Sequence, residues 1–567
     1  MSSIEESVPL ETESELAVVE KTSLPVSDKP RRAEMALVFF VAWLFFVALT
    51  PHVIQWLNPV TGDEPFYLMT AQSLLADHDI DETNNYNQHN YWKFSPSCEE
   101  IMQPGWATSL YVPGMPAPGL RLCPSPYDQI SIDITPHFSG QTIRNGNYTK
   151  HGLGLPFLIL PAYALGNVVG IHLAVALFMT ALSALLGLNI WLLAWETTRK
   201  RSIAWSVWAL LTFSLPLFSY AFLIFPAIPA SLCVTYAFRR IRLAVQSEEI
   251  RANNLAQAFA VGLCLGFLPW LHSLYITFTL SLAVYWLLGG VWRFRSEKKR
   301  LVAYLCHRDK VWGLAESALL VLPVLAFGGL LASYYLYYFG KLLPNEQDHA
   351  GFVEWNKVGT GVLGLFLDQK WGLLLYAPIY LLALSGLALL VLPTTVQLIS
   401  QHHRQDFIWL AIVILPYFSY IARYRQWWGE WCPPARYLTP FLPLLALPLG
   451  LALERLWRKW SGRVLVSFLA SWGFFVSFAF AINPKLFYHW QDTQPAKLLL
   501  FLQDNIAFLR SANLASWFPS YVTVLEPAQG LDNTPVQLIW LLVFTLGGIG
   551  AIALSEHIPK KKKHSQP

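Results

Sequence analysis

Charge is what this chain of 567 residues has least of: Asp, Glu, Lys and Arg make up only 13% of it, against 54% hydrophobic side chains and a mean hydropathy of +0.39. That scarcity excludes an ordinary water-soluble domain, in which about a quarter of the residues are charged. Cysteine is also sparse, six in all, and no two have the spacing of a zinc site. No repeat of fixed period and no inverted pair of broken helices stands out, which argues against a secondary-transporter architecture. Residues 1–34 are rich in Ser, Glu, Thr, Val and Pro and poor in aromatics. They cannot bury enough surface to fold, and read as a disordered cytosolic tail, not a signal peptide.

What the chain has instead is apolar runs. Those at 36–57, 171–195, 203–221, 222–239, 255–271, 272–292, 313–338, 371–393, 407–422, 437–456, 463–482 and 535–555 read as membrane spans. The fold class is therefore an all-α polytopic membrane protein, a bundle of about 12 transmembrane helices. Lys29, Arg31 and Arg32 hold the N-terminus inside, so the first run exits outward. Arg199-Lys200-Arg201, Arg239-Arg240-Ile241-Arg242, Arg293 through Lys310, His402-His403-Arg404, Arg455 through Arg463 and Lys560 through Lys563 then all fall on the cytosolic side. Both termini are cytoplasmic in this topology. The basic blocks are topology signals, and no nucleic-acid surface is read from them. Counting 152–170 as a further span would invert every later block, so that stretch, with Pro156 and Pro161 inside it, reads as a re-entrant or interfacial helix.

Polar chemistry is then expected in the outward segments 58–151, 339–370, 423–436 and 483–534. The first opens with Gly62-Asp63-Glu64-Pro65. Asp63 suits a helix N-cap, Pro65 suits the first turn, and Tyr67, Ala71, Leu74 and Leu75 recur at helical spacing, which predicts a short amphipathic helix on the membrane surface. A carboxylate at its positive end stays ionised and can accept a proton or coordinate a divalent cation; equally, Asp63 can simply cap the helix while Glu64 faces water. Asp77, Asp79 and Asp81 suggest a calcium loop, but Glu82 stands where such a loop needs Gly and Gln88 where it needs Glu, so a solvated turn is preferred. Lys150-His151-Gly152 closes the loop at membrane depth, where His151 either contributes to binding or is a hydrogen-bonded structural residue.

Arg423, Arg425 and Arg436 lie outward among Trp427, Trp428, Glu430 and Trp431. Outward arginines are unusual; a guanidinium there grips phosphate bidentately and Trp faces cover a sugar ring or an isoprenoid chain, although an aromatic belt with snorkelling arginines has the same composition. Asp368 and Lys370 either pair with each other or offer a second phosphate contact. Cys98 and Cys123 share the first loop and could bridge, and Asn147-Tyr148-Thr149 is formally a glycosylation sequon.

Four blocks, Gly62-Asp63-Glu64-Pro65 with Tyr67-Leu68, Lys150-His151-Gly152 with Gly154 and Pro156, Asp368 with Gly372-Leu373 and Tyr376-Ala377-Pro378, and Arg436-Tyr437 with Pro440, resemble in order and sidedness the GT-C glycosyltransferases. The likeness is to the bacterial branch related to protein O-mannosyltransferases and lipid A aminoarabinose transferases, over roughly residues 35–455. It implies a GT-C-type transmembrane catalytic domain at 35–482 with its first outer loop at 58–151, an outer-face segment at 483–534 capping the site, and a last helix with a basic cytosolic tail at 535–567. It further implies a polyprenyl-phosphate sugar donor, a lipid, glycan or protein acceptor on the outer face, and a place in the cell membrane, that of a bacterial inner membrane. Asp63 carries over as the catalytic base or as the acid that holds a divalent cation such as Mg or Mn, and Glu64 as the second catalytic carboxylate. Arg436 and Lys370, joined by Arg423 and Arg425, carry over as donor-phosphate contacts, and His151, Lys150, Asp368, Trp428 and Glu430 as substrate-binding residues. No lumenal module of the eukaryotic mannosyltransferases is recognisable, and Glu430 and Cys432 interrupt the turn before Arg436. Competing classes are a polyprenyl-linked glycan transporter, which buried charges within spans would favour, and an O-antigen ligase or polymerase, which would not need Asp63.

Overall fold

The computed structural model describes residues 30–57, 60, 62–94, 120–121, 131–132, 136–139, 142–246, 253–295, 308–342, 353–388, 401–491, 494–522 and 534–556. Apart from a two-stranded antiparallel ladder, Leu120–Arg121 with Ser131–Ile132, these residues form helices and irregular connections. Four helices are long and apolar enough to cross a membrane: Arg32–Trp56, Ile171–Thr198, Ala315–Phe339 and Trp460–Ile482. Gly154–Val169, Leu255–Leu271, Ser273–Gly289 and Pro535–Gly547 are apolar but shorter. The protein is thus a helical membrane protein, with fewer full-length helices among the described residues than the apolar runs suggest. Cys98, Cys123, the tail before residue 30 and the tail after 556 lie outside the described residues.

Proline accounts for much of the difference. The runs at 203–221 and 222–239 become helix Arg201–Thr212, a single turn at Leu217–Tyr220 and helix Ala227–Gln246, because Pro216 and Pro226 each remove a helical donor and force a break. The break is buried, and irregular backbone at that depth needs an internal partner. Glu64 supplies one: its Oε1 accepts the Ile224 N–H at 2.6 Å, with Glu64 itself 0% exposed. Pro378 likewise divides Leu373–Tyr376 from Tyr380–Ala388, and the expected span at 437–456 begins as 3₁₀ turns at Arg436–Leu438 and Leu442–Leu445 before helix Ala446–Leu456.

Helix Glu64–Ala76 does not have the amphipathic surface character its spacing suggests. Ten consecutive residues, Glu64 to Ser73, are buried. It packs on helix Gly154–Val169, with Tyr163 Oη donating to Gln72 Oε1 at 2.9 Å, and on the end of the first loop. Helix Gly154–Val169, at 16 residues, rises only about 24 Å. It stops at Gly170, whose φ of +100° favours glycine, and the next helix begins at Ile171.

Two further ties fix the frame. Gln369 N–H donates to Pro519 O at 2.8 Å, its side chain bridges Ala496 N–H and Phe518 O, and Asp368 accepts the N–H groups of Lys370, Trp371 and Tyr521 at 2.7–3.0 Å. Residues 494–522 are thereby clamped to the turn that precedes the short helix Leu373–Tyr376. Elsewhere, Arg239 pairs with Glu196 at 2.8 Å and Arg242 with Asp406 at 2.8 Å, all four side chains 7% exposed or less. The sequence suggests few buried charges; these tie helix Ala227–Gln246 to Ile171–Thr198 and Gln401–Ile421.

Removing one member of a buried pair costs about 3–5 kcal/mol, whereas replacing both by apolar residues is close to neutral. Arg242→Met is therefore expected to lower the thermal unfolding midpoint of the detergent-solubilised protein strongly, and Arg242→Met with Asp406→Leu to recover most of the loss; equal losses would contradict the tie. Glu82 gives a pH signature. It is 1% exposed, accepts from Thr70 Oγ1 at 2.5 Å and donates its N–H to Asn147 O at 2.9 Å, joining the buried helix to the end of the first loop. Burial pushes its carboxyl from 4.5 up to about 8, the Thr70 hydrogen bond opposing and the Asp81 charge adding. Because the folded state holds the proton more tightly, this stabilisation is full below pH 4.5 and lost as pH rises through 8. Unfolding midpoints measured from pH 5 to 9 should fall with pH in the native protein and flatten in Glu82→Gln.

Candidate functional site

The turn before helix Glu64–Ala76 aims its first carboxylate. Gly62 has φ +66°, and a Cβ there would lie 3.0 Å from Trp431 O, so the close passage of the two loops favours glycine. Asp63 then occupies the N-cap position, but its side chain makes no capping hydrogen bond. The carboxylate instead forms an ion pair through Oδ2 with Arg436 Nη2, a residue 373 positions away. The pair is partly shielded, its side chains 22% and 15% exposed. Arg436 is held from behind as well: Nη1 donates to Gly429 O at 3.2 Å, and the guanidinium lies 4.6 Å from the Phe225 ring centroid. The loop that delivers it is tightly wound, with positive φ at Gly429, Glu430 and Ala435, and is pinned by Ala435 N–H on Trp371 O at 2.9 Å.

Two imidazoles complete the cluster. His137 and His151 come together because residues 137–139 run antiparallel to 148–150, with Ser139 N–H on Tyr148 O at 2.8 Å and Lys150 N–H on His137 O at 3.0 Å. His137 Nδ1 and His151 Nε2 share a hydrogen bond of 3.2 Å. One donor atom each from Asp63, His137 and His151 lies within 4.8 Å of the others, a set that could hold a metal ion. His137 is absent from the sequence-based candidates. The signal available was a second histidine in the same loop, fourteen residues before His151, which becomes meaningful only once the strand-like pairing is known.

The protonation states suit metal ligation. Burial would raise the Asp63 carboxyl, but the Arg436 guanidinium outweighs it, with smaller help from His151, and holds the acid well below the usual carboxylate range. Burial brings His151 down to about 4 despite the Asp63 charge, and brings His137 to about 4 with Lys150 adding to the effect. Asp63 is therefore ionised and both imidazoles are neutral near pH 7, the states in which each ligates metal.

The other expected residues divide. Lys150 is exposed beside the cluster, and Glu430 is close enough that the Asp63 charge, after its own loss of hydration, raises its carboxyl; Gln426 Nε2 donates to Glu430 Oε1 at 2.6 Å. Glu64 is turned away from the cluster, onto Ile224. Lys370 is 3% exposed with Nζ donating to Trp490 O at 3.1 Å, and Asp368 is 0% exposed within its backbone clamp. Trp428 lies between Trp371 and Trp427, at ring distances of 6.3 and 5.7 Å. Arg423 donates to Ser419 O at 2.9 Å and stacks on Trp355 at 4.2 Å, while Arg425 points to the exterior. A cavity of about 80 Å³ adjoins the cluster, lined by Lys150, His151, Trp270, His272, Tyr334 and Tyr335 among others.

No family model matches the chain, and no curated protein matches it. Among solved structures, it is similar to the archaeal oligosaccharyltransferase AglB from Archaeoglobus fulgidus in complex with an inhibitory peptide and a dolichol-phosphate, with a TM-score of 0.41 and 13% identity over 88% of this chain and 60% of that one. The apo form of the Archaeoglobus fulgidus oligosaccharyltransferase gives a TM-score of 0.40 and 13% identity over 88% and 61%. A complex of that enzyme with Zn and sulfate gives 0.39 and 15% over 87% and 58%. The chain spans about 60% of the length of the structures it matches.

Proposed function

We propose that this protein is a membrane glycosyltransferase that moves a sugar from a polyprenyl-phosphate donor to a lipid, glycan or protein acceptor at the membrane surface, with Asp63 at its centre. The observation that carries the reading is the convergence of Asp63, Arg436, His137 and His151 from three distant parts of the chain. A carboxylate, a guanidinium and two neutral imidazoles beside the end of an apolar helix suit a reaction in which an anionic leaving group departs from a lipid-borne substrate.

In such a transfer the bond from the anomeric carbon to the phosphate oxygen breaks, a bond from that carbon to the acceptor forms, and the acceptor loses a proton. Arg436 is the group suited to the charge that accumulates on the departing phosphate. Asp63 is a poor proton acceptor in this setting, because the interactions that keep it ionised also lower its basicity. Glu430, with its raised carboxyl, is better matched to taking the acceptor proton.

Asp63 is better suited to holding a cation. The 3.2 Å between His137 Nδ1 and His151 Nε2 fits two ligands of one ion, since metal–nitrogen bonds of about 2.0–2.1 Å in tetrahedral geometry separate nitrogens by roughly 3.3–3.4 Å. Two imidazoles and one carboxylate favour zinc or a similar borderline ion over Mg, which prefers an all-oxygen shell, and Mn is the nearer of the two ions the sequence suggests. When bound, such an ion supplies Lewis-acid stabilisation of phosphate oxygens.

Membranes supplied with a radiolabelled polyprenyl-phosphate sugar test the assignment when transfer and donor binding are measured separately. Asp63→Asn is expected to lose transfer by about 10²–10³-fold or more while still binding donor; retained transfer would overturn the central role of Asp63. In the same assay a chelator should abolish transfer and zinc or manganese restore it. His137→Ala should remain inactive at metal concentrations that saturate the native protein.

A further inference from the structure

The first turn of helix Glu64–Ala76 brings more to the cluster than a carboxylate. Phe66, three residues beyond Asp63 and 5% exposed, lies face-on to both imidazoles: its ring centroid is 3.8 Å from that of His137 at an interplanar angle of 17°, and 5.1 Å from that of His151 at 12°. Tyr67 meets His151 nearly edge-on at 5.3 Å and 62°. The two imidazoles are therefore close to parallel, 24° apart, while their facing nitrogens stand 3.2 Å from each other.

That alignment does not come from the histidines alone. The second side-chain torsion of histidine has a broad, roughly two-fold well, so a ring without neighbours samples many planes. His137 and His151 lie on the irregular end of a loop, whereas Phe66 belongs to a helix buried over its first three turns. The rigid partner in the stack is the phenyl ring. Its face also responds to charge: imidazole bound to a cation gives up electron density and becomes partly positive, and an aromatic face attracts positive charge. A leucine of similar bulk offers neither a flat face nor that attraction.

We infer that Phe66 is a positioning residue for the metal site of Asp63, His137 and His151: its ring sets both imidazole planes so that their nitrogens converge, and it favours the metal-loaded rings over the empty ones. One helical turn then carries a ligand and the platform for the other two ligands, so the spacing between Asp63 and Phe66 matters as much as either residue. This assignment rests on the metal-binding reading of the cluster, and the experiment separates the two.

The full-length protein in detergent, stripped with chelator, is titrated with Co²⁺, whose visible spectrum reports ligand number and type, and with Zn²⁺ in competition with a chromophoric chelator. The native protein is expected to take up one Co²⁺ with a spectrum that changes in His137→Ala. Phe66→Leu should bind both ions roughly 10-fold more weakly, the range seen when groups that orient metal ligands are removed, with an altered Co²⁺ spectrum. Phe66→Tyr, which restores the aromatic face, should recover affinity and spectrum. Thermal unfolding of the metal-free proteins separates a loss of folding from a loss of binding; if Phe66→Leu does not fold, Phe66→Met takes its place as the unstacked variant. No uptake of either ion by the native protein would overturn the metal reading itself. Uptake by the native protein with unchanged affinity and spectrum in the unstacked variant would leave that reading intact and overturn the role of Phe66.

Discussion

The Asp63–Arg436 ion pair is the contact on which the arrangement of the cluster depends. It joins the start of helix Glu64–Ala76 to a loop 373 residues later, and each partner has its own reason to be where it is. Gly62 turns the chain so that Asp63 faces inward beneath Trp431, and the wound loop from Gly429 to Ala435 presents Arg436 with Phe225 behind its guanidinium. Neither group is fully buried, so the pair escapes most of the desolvation cost of an interior salt bridge while remaining less screened than a surface one. The same pairing keeps the carboxylate ionised, while burial, only partly offset by the Asp63 charge, keeps both imidazoles neutral. This contact thus fixes both the position and the ionisation of Asp63.

Around it, the chain repeatedly gives up helical regularity and recovers the cost locally. The interruption near Pro216 and Pro226 leaves the Ile224 N–H inside the protein, and Glu64 accepts it. The acid beside Asp63 in sequence therefore holds the framework through a backbone contact, while Asp63 faces the cluster. Asp368 does similar work with three backbone N–H groups, and Lys370 with the Trp490 carbonyl. In a chain so poor in charge, several of the buried ionisable groups serve as partners for stranded peptide groups.

What could be read from the sequence follows from how local each signal is. Asp63 was legible because an acidic pair at the end of an apolar run is unusual by itself, and Arg436 because an arginine expected outside a membrane stands against a strong bias. His137 was not, because its significance lies in an antiparallel pairing with 148–150 that no periodicity announces. The amphipathic reading of helix Glu64–Ala76 failed for a related reason: Tyr67, Ala71, Leu74 and Leu75 do repeat at helical spacing, but the intervening Phe66, Leu68, Met69 and Thr70 are buried by other elements. Apolar runs located the membrane helices Arg32–Trp56, Ile171–Thr198 and Trp460–Ile482 well. Where prolines cut a run, the described residues do not form one continuous helix over it, since hydropathy measures solvent preference and says nothing about whether the backbone can keep its donors.

The wide separation of Asp63 from Arg436 also sets an order of biogenesis. A ribosome adding about 5–20 residues per second needs roughly 20 to 75 s to make the intervening chain, and the Gln369 clamp closes only after Pro519 has followed. Throughout that interval the carboxylate waits at the membrane boundary without its guanidinium. Glu64, whose partner Ile224 emerges far sooner, can dock the helix in the meantime, so maturation of the cluster is a late event in assembly, separable in time from insertion of the first helices.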